Sequence, residues 1–241
     1  ATTDIYTLSH HDALPIWEVL LYADNRASAI SQILVQLQEQ PFLSGVTIDF
    51  EGMSGDALKA GLTAFMKELR TAMNGMGKTV YLCVPPVVSD GQYFNAYDYK
   101  ALGDLCDKMI LMAHDYQATS MSPEMMAAGF TTTPLTPIPE IYHAFAAITD
   151  PVTGVSDIGK VALAISFNSE QWHLRDGKVI NEIPYHPHTD SIYQRLIEAG
   201  TTMNYSQRYE NPYITFTNTD DNTQNVIWYE DERSISAKLE L

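Results

Sequence analysis

Basic residues are scarce in this chain of 241 residues: fourteen Lys and Arg stand against thirty Asp and Glu, a formal net charge of −16. That balance argues against a nucleic-acid partner, which needs a basic stripe, and against a polybasic membrane-surface protein. Cysteine is scarce too. Cys83 and Cys106 have neither CxxC spacing nor a nearby His pair, so a zinc site or redox motif is not expected, and a single disulfide stays open. No run of 18 apolar residues exists, which argues against a membrane span. The GxGxxG and GxxxxGK[ST] phosphate cradles are absent as well, and no metal or cofactor is expected. A neutral or cationic polymer remains a suitable ligand.

What is present is an ordinary globular composition, 45% hydrophobic and 18% charged, long enough to bury a core without disulfide or metal staples. Both ends read as cut. The chain starts at Ala1 without a signal-like segment, and the helical pattern Ser234–Leu241 runs to the last residue without a Gly cap or Pro stop. The segment Tyr6–Ile16 (YTLSHHDALPI) resembles a translated sequencing-library adapter. Residues 1–16 are therefore set aside as a non-native or disordered tail, and His10, His11 and Asp12 are given no role.

From Trp17 onward, apolar runs alternate with helical periodicity. The runs are Trp17–Tyr22, Gly45–Phe50, Thr79–Val84, Met109–Ala113, Val161–Phe167 and Asn225–Tyr229. Helical spacing covers Ala27–Gln40, Ala57–Asn74, Tyr97–Asp107, Glu140–Ile148, Ser191–Ala199 and Ser234–Leu241. This βαβα rhythm predicts a parallel α/β sheet, either doubly wound or a (β/α)₈ barrel, in a single domain over residues 17–241.

The stretch Ser44-Gly45-Val46-Thr47-Ile48-Asp49-Phe50-Glu51-Gly52-Met53 carries the chemistry. Strand alternation puts Val46, Ile48 and Phe50 on one face and Thr47, Asp49 and Glu51 on the other. Two carboxylates on an interior face are costly unless paired, protonated or used. Glu51 falls at the carboxyl end of the strand, where barrel enzymes place catalytic groups.

These residues resemble the glycoside hydrolase family 18 signature, Asp-Gly-x-Asp-x-Asp-x-Glu, on the fourth strand of a TIM barrel. The nearest likeness is the bacterial spore-cortex-lytic and cell-wall N-acetylglucosaminidase branch. Leu111-Met112-Ala113-His114-Asp115-Tyr116 resembles the family's sixth-strand Met-x-Tyr-Asp. Gly159–Phe167 is similar to its seventh strand, and Trp228-Tyr229-Glu230-Asp231 with Ser234 and Lys238 to the segment before its last helix. The resemblance implies an incomplete TIM (β/α)₈ barrel: strands three to seven and the last helix region, without strands one, two and eight.

It further implies a glycosidase that cuts β-1,4 bonds next to N-acetylglucosamine in peptidoglycan or chitin-like glycans, with retention and substrate assistance. Glu51 would be the general acid and base, and Asp49 would hold the acetamido N–H. His114 stands where the family has a Tyr that donates to the acetamido carbonyl, and Asp115 would orient it. Met112, Thr47, Tyr116 and Trp172 are the expected substrate-binding residues. The chain departs from the signature at Ser44 and Thr47, which replace its first two Asp residues. The full-length parent is expected to be a monomer acting outside the cell or at the cell wall or spore.

Two rivals stay open: a chitinase-like lectin barrel that binds glycan without cutting it, and a wall-anchored structural protein with a vestigial site. Retention of Glu51 favours the enzyme; Thr47 and His114 keep the lectin in play. Tyr205 is a second aromatic that could face sugar. Tyr93, Phe94, Tyr97 and Tyr99 read as a helix packing face, Pro134, Pro137 and Pro139 as a stiff loop, and Asp220–Asp221 and Glu230–Glu232 as solvated acids.

Overall fold

The computed structural model describes residues 15–89 and 94–241. Most of the adapter-like segment, with its two histidines, lies outside the described residues, as does Tyr93. The chain divides into two compact units, one running to Met112 and including His143–Ala164, the other formed by Ala113–Tyr142 and Ile165–Leu241.

In the first unit, β1 (Gly45–Ile48), β2 (Thr79–Val84), β3 (Lys108–Leu111) and β4 (Val161–Leu163) form a parallel sheet in that order. The register sets Thr47 beside Tyr81, Cys83 beside Ile110, and Ile110 beside Ala162. Helices α1 (Ile16–Leu21), α2 (Ala23–Glu39), α3 (Asp56–Asn74) and α4 (Tyr99–Leu105) complete the unit. Leu62, Phe65, Met66, Leu69 and Met73 repeat at helical spacing along α3, and all five are fully buried. This helix packs on β2 and against the other three helices. Gly61 permits the contact with α1, since a Cβ there would lie 2.8 Å from the Leu20 carbonyl oxygen. The apolar face of β1 buries Val46 and Ile48, and the Phe50 ring meets Phe65 at 5.4 Å.

The second unit holds an antiparallel sheet of order β6-β5-β9-β8-β7: β5 (Glu170–Arg175), β6 (Lys178–Val179), β7 (Thr202–Ser206), β8 (Asn211–Thr217) and β9 (Gln224–Trp228). α5 (Pro123–Ala127) packs on β6. α6 (Ile138–Ile148) belongs partly to each unit, and α7 (Thr189–Leu196) and α8 (Glu232–Leu239) follow. Two apolar clusters organise this unit, Met121, Trp172, Leu174 and Val179 in one and Ile192, Ile214, Ile227 and Tyr229 in the other.

Three expectations change. Most of Trp17–Tyr22 is helical, not a strand: Trp17–Leu21 lies in α1, with Val19 and Leu20 inward and Trp17 and Leu21 outward. Six residues of strand-prone composition take the helical state because their buried pair fits against α3. The run ending at Tyr229 is an antiparallel strand of a separate sheet, so the parallel rhythm stops after β4. Among the described residues the parallel sheet is open, with β1 and β4 as its edges.

Glu230 is the third correction. It is not a solvated acid: its side chain is 1% exposed, paired with Lys238 at 2.5 Å. It also accepts hydrogen bonds from Asn211 at 2.6 Å, from Ser234 at 2.6 Å and from Thr136. Asp231 beside it caps α8 in a reciprocal box with Ser234.

Glu170, at the start of β5, is fully buried. Neither of its oxygens has a hydrogen-bond partner of ordinary geometry among the described residues. Burial pushes its carboxyl up to about 8, against weaker opposing pulls from the Thr133 hydroxyl and the Trp172 indole. The folded state therefore keeps a proton that the unfolded chain releases near pH 4.5, so stability falls as pH rises from there to about 8 and then levels off. Thermal melts of Glu170→Gln should lose this slope, the variant gaining on the parent by several degrees at pH 8 and not at pH 4.5. Parallel melting curves across that range would disprove the assignment.

Candidate active site

β1 ends at Ile48, and Asp49, Phe50 and Glu51 carry the chain beyond the sheet before α3 begins. Gly52 and Gly55, at φ 71° and 96°, make the turn that L side chains resist. With Phe50 committed to the α3 side, alternation sends Thr47, Asp49 and Glu51 to the opposite face. Thr47 is buried, Asp49 half-buried and Glu51 exposed. Among the described residues, Thr47 Oγ1 and Asp49 Oδ1 are both buried without a hydrogen-bond partner.

Two neighbours register the charge of this pair. The Cys83 thiol is pushed up to about 12, first by burial and then by the Asp49 and Glu51 carboxylates. Burial also leads in raising the Tyr97 phenol, with both carboxylates adding to it against a backbone hydrogen bond at Met53. Cys83 and Cys106 are free, buried thiols. Met112 continues the Ile110 face of β3, and its N–H donates to Val84 O at 2.9 Å. Thus the first unit brings together Thr47, Asp49 and Glu51 on and just past the end of β1 and places Met112 just past β3.

The second unit holds the other candidates. His114 Nδ1 lies 2.8 Å from Asp115 Oδ2. Asp115 has φ 59°, a left-handed backbone uncommon for a non-glycine residue, which marks the corner as held in place. Its second oxygen accepts hydrogen bonds from Ser166 Oγ at 3.3 Å and Asn168 Nδ2 at 3.2 Å. These bonds hold the Asp115 carboxyl well below its usual range, His114 contributing most, against the cost of burial. Tyr116 anchors its segment by donating its N–H to Leu135 O at 2.9 Å.

Trp172 is placed differently. It is fully buried in an apolar cluster, with Nε1 donating to Thr133 Oγ1 at 2.8 Å, so neither ring face is open to a sugar. Tyr205 is likewise engaged, donating to Glu210 at 2.7 Å with the Arg233 guanidinium 3.5 Å over its ring. Ser166 and Asn168 are residues that sequence reading passed over; their only signal was a position just beyond a strand end. Among the described residues, no group of three His, Cys, Asp or Glu could hold a metal ion, and no helix is long and apolar enough to cross a membrane.

A parallel α/β sheet with an Asp-x-Glu pair at the carboxyl end of a strand, joined to an antiparallel unit, defines a chitinase-like α/β protein. The chain belongs to the glycosyl hydrolases family 18, whose pattern it matches over residues 16–241. It is 26% identical over 205 residues to YdhD of Bacillus subtilis (strain 168), described as a sporulation-specific glycosylase, covering 82% of this chain and 43% of YdhD. The crystal structure of YdhD has a TM-score of 0.74, with 23% identity over 93% of this chain and 70% of that one. A cortical fragment-lytic enzyme of Bacillus subtilis (strain 168) is 22% identical, covering 81% of this chain and 42% of its own. The spore cortex-lytic enzyme SleL of Bacillus megaterium QM B1551 has a TM-score of 0.73 and 18% identity over 96% of this chain and 51% of that one. The chain spans less than half the length of the two curated relatives.

Proposed function

We propose that the protein is a glycosidase that cleaves β-1,4 bonds next to N-acetylglucosamine in peptidoglycan or chitin-like glycans. The observation that carries this reading is the orphaned, buried Asp49 Oδ1 beside an exposed Glu51. A buried acceptor without a partner is costly, and an acetamido N–H is the kind of donor that would satisfy it. In this scheme Glu51 protonates the glycosidic oxygen while the sugar's own acetamido oxygen attacks the anomeric carbon. The oxazolinium that forms is stabilised by Asp49, and Glu51 then takes a proton from the water that opens it.

With Nδ1–H held by the Asp115 carboxylate, His114 donates from Nε2 toward the acetamido carbonyl in its imidazolium form, since the neutral ring would offer only an acceptor there. Thr47 and Met112 line the substrate side of their strands, and Tyr116 adds a phenol beyond β3. The four parallel strands are read as an arc of a (β/α)₈ barrel. The relatives' names, a cortical fragment-lytic enzyme and a spore cortex-lytic enzyme, support a peptidoglycan substrate and action at the cell wall or spore. Action outside the cell by a monomeric parent belongs to the same proposal.

Proton NMR of the first sugars released from an N-acetylglucosamine oligomer tests the mechanism. The β-anomer should appear first and mutarotate later. Initial α-anomer would eliminate substrate assistance, and glycan binding without any product would move the protein to the lectin reading.

A further inference from the structure

The segment Asn95-Ala96-Tyr97 lies more than forty residues from Glu51 in sequence, yet it binds the loop that carries Glu51 at three points. Tyr97 donates its hydroxyl to the Phe50 carbonyl, in the peptide unit that joins Phe50 to Glu51. Ala96 donates its N–H to Met53 O at 3.4 Å. Asn95 Oδ1 accepts the Gly55 N–H at 2.7 Å. These contacts fall before and after Glu51, on a stretch that has left the ladder of β1 and has not yet entered α3. The stretch needs outside support because its two left-handed glycines impose no side-chain preference of their own.

Tyr97 is 8% exposed, and Asp98, the next residue, caps α4 by accepting the Ala101 N–H at 3.1 Å. The staple is thus built on a helix start and not on a free loop. A phenol on a catalytic strand end does more than pack: Tyr97 lies close enough to Asp49 and Glu51 for both carboxylates to raise its proton affinity. The aromatic cluster that sequence reading treats as a packing face therefore divides by task. Tyr99 closes its side by donating to Pro85 O at 2.8 Å, at the end of β2, whereas Tyr97 serves the Glu51 loop.

We propose that Asn95 and Tyr97 are positioning residues, which hold the Phe50–Gly55 loop so that the Glu51 carboxyl meets the glycosidic oxygen. The inference rests on the hydrolase reading above. Misplacing a proton donor by a fraction of an ångström lowers the rate of the chemical step more than it weakens substrate binding.

The test compares Tyr97→Phe, Asn95→Ala and Asn95→Asp on a fluorogenic N-acetylglucosamine oligomer, with Glu51→Gln alongside. Tyr97→Phe and Asn95→Ala should each lower kcat on the order of tenfold with KM within about twofold and melting temperature within a few degrees. Asn95→Asp keeps the acceptor for Gly55 and should recover most of the loss. Unchanged kcat in the first two variants, or a decline that merely follows the folded fraction, overturns the proposal, as does a failure of Asn95→Asp to exceed Asn95→Ala. Amide hydrogen exchange at Gly55 reads the staple without turnover and should quicken in Asn95→Ala. Turnover retained by Glu51→Gln would remove Glu51 as the proton donor, and absence of turnover in the parent would sink the hydrolase reading, while unaltered Gly55 exchange would sink the staple alone.

Discussion

Glu51→Gln is expected to lower turnover of N-acetylglucosamine oligomers by at least about a hundredfold while leaving glycan affinity within a few-fold. The substitution keeps the shape of the side chain and removes only the exchangeable carboxyl proton. General acid–base groups contribute roughly 10² to 10⁴ to rate, so the expected loss is the lower bound for a residue that serves in both half-reactions. Glu51 is exposed at a strand end, so the variant should fold as the parent does. Turnover, glycan binding and thermal melts measured on the same preparations separate the outcomes. Equal turnover in the two proteins would remove Glu51 from the chemistry, and equal binding with no turnover in either would leave Asp49 and Glu51 as sugar-holding groups of a lectin.

The strand that carries Glu51 was legible because two independent patterns agree on it. The alternation of Val46, Ile48 and Phe50 against Thr47, Asp49 and Glu51 fixes faces, and Gly52 and Gly55 make the turn that follows the strand. β2 was equally clear, its bounds coinciding with the apolar run Thr79–Val84. Trp17–Tyr22 was not, since a six-residue run with five apolar residues carries no period long enough to separate helix from strand, and packing on α3 decided the matter.

The antiparallel sheet had a signal that went unread. Arg175-Asp176-Gly177-Lys178 contains the Asp-Gly pair of a tight hairpin, and both residues take positive φ, 50° and 74°. The tertiary company of the aromatics could not be read at all. Trp172 has the composition of a sugar platform, but the side of the sheet it faces is apolar and closed. Tyr97 looked like packing because its partner is a backbone carbonyl, which leaves no trace in residue type. The burial of Glu230 departs from its acidic run for a different reason. An acidic run reads as solvated, but Glu230, Ser234 and Lys238 recur every four residues, which stacks them on one side of α8 and its approach.

That stripe carries the largest stability effect expected of any single change. Lys238→Met should destabilise the protein by about 3–5 kcal/mol, because it keeps the apolar stem and strands the Glu230 charge. The two side chains are 2% and 1% exposed, so water cannot replace the missing ammonium. Burial lowers the Lys238 proton affinity, and Glu230 partly restores it, which shows how far the pair depends on itself for solvation. Asn211 and Ser234 remain as donors at 2.6 Å each, together with Thr136, but neutral hydrogen bonds offset only part of a buried charge. The same carboxylate joins β8, the Thr136 loop and α8, so its loss should be felt across the second unit and not at one helix end. At this chain length the effect corresponds to a melting shift of about 6–20 °C. Adding Glu230→Gln to Lys238→Met removes the stranded charge and should recover about half of the loss or more. A loss below about 1 kcal/mol for Lys238→Met, or no recovery in the double variant, would show that the pair does not carry the packing of α8 on the sheet.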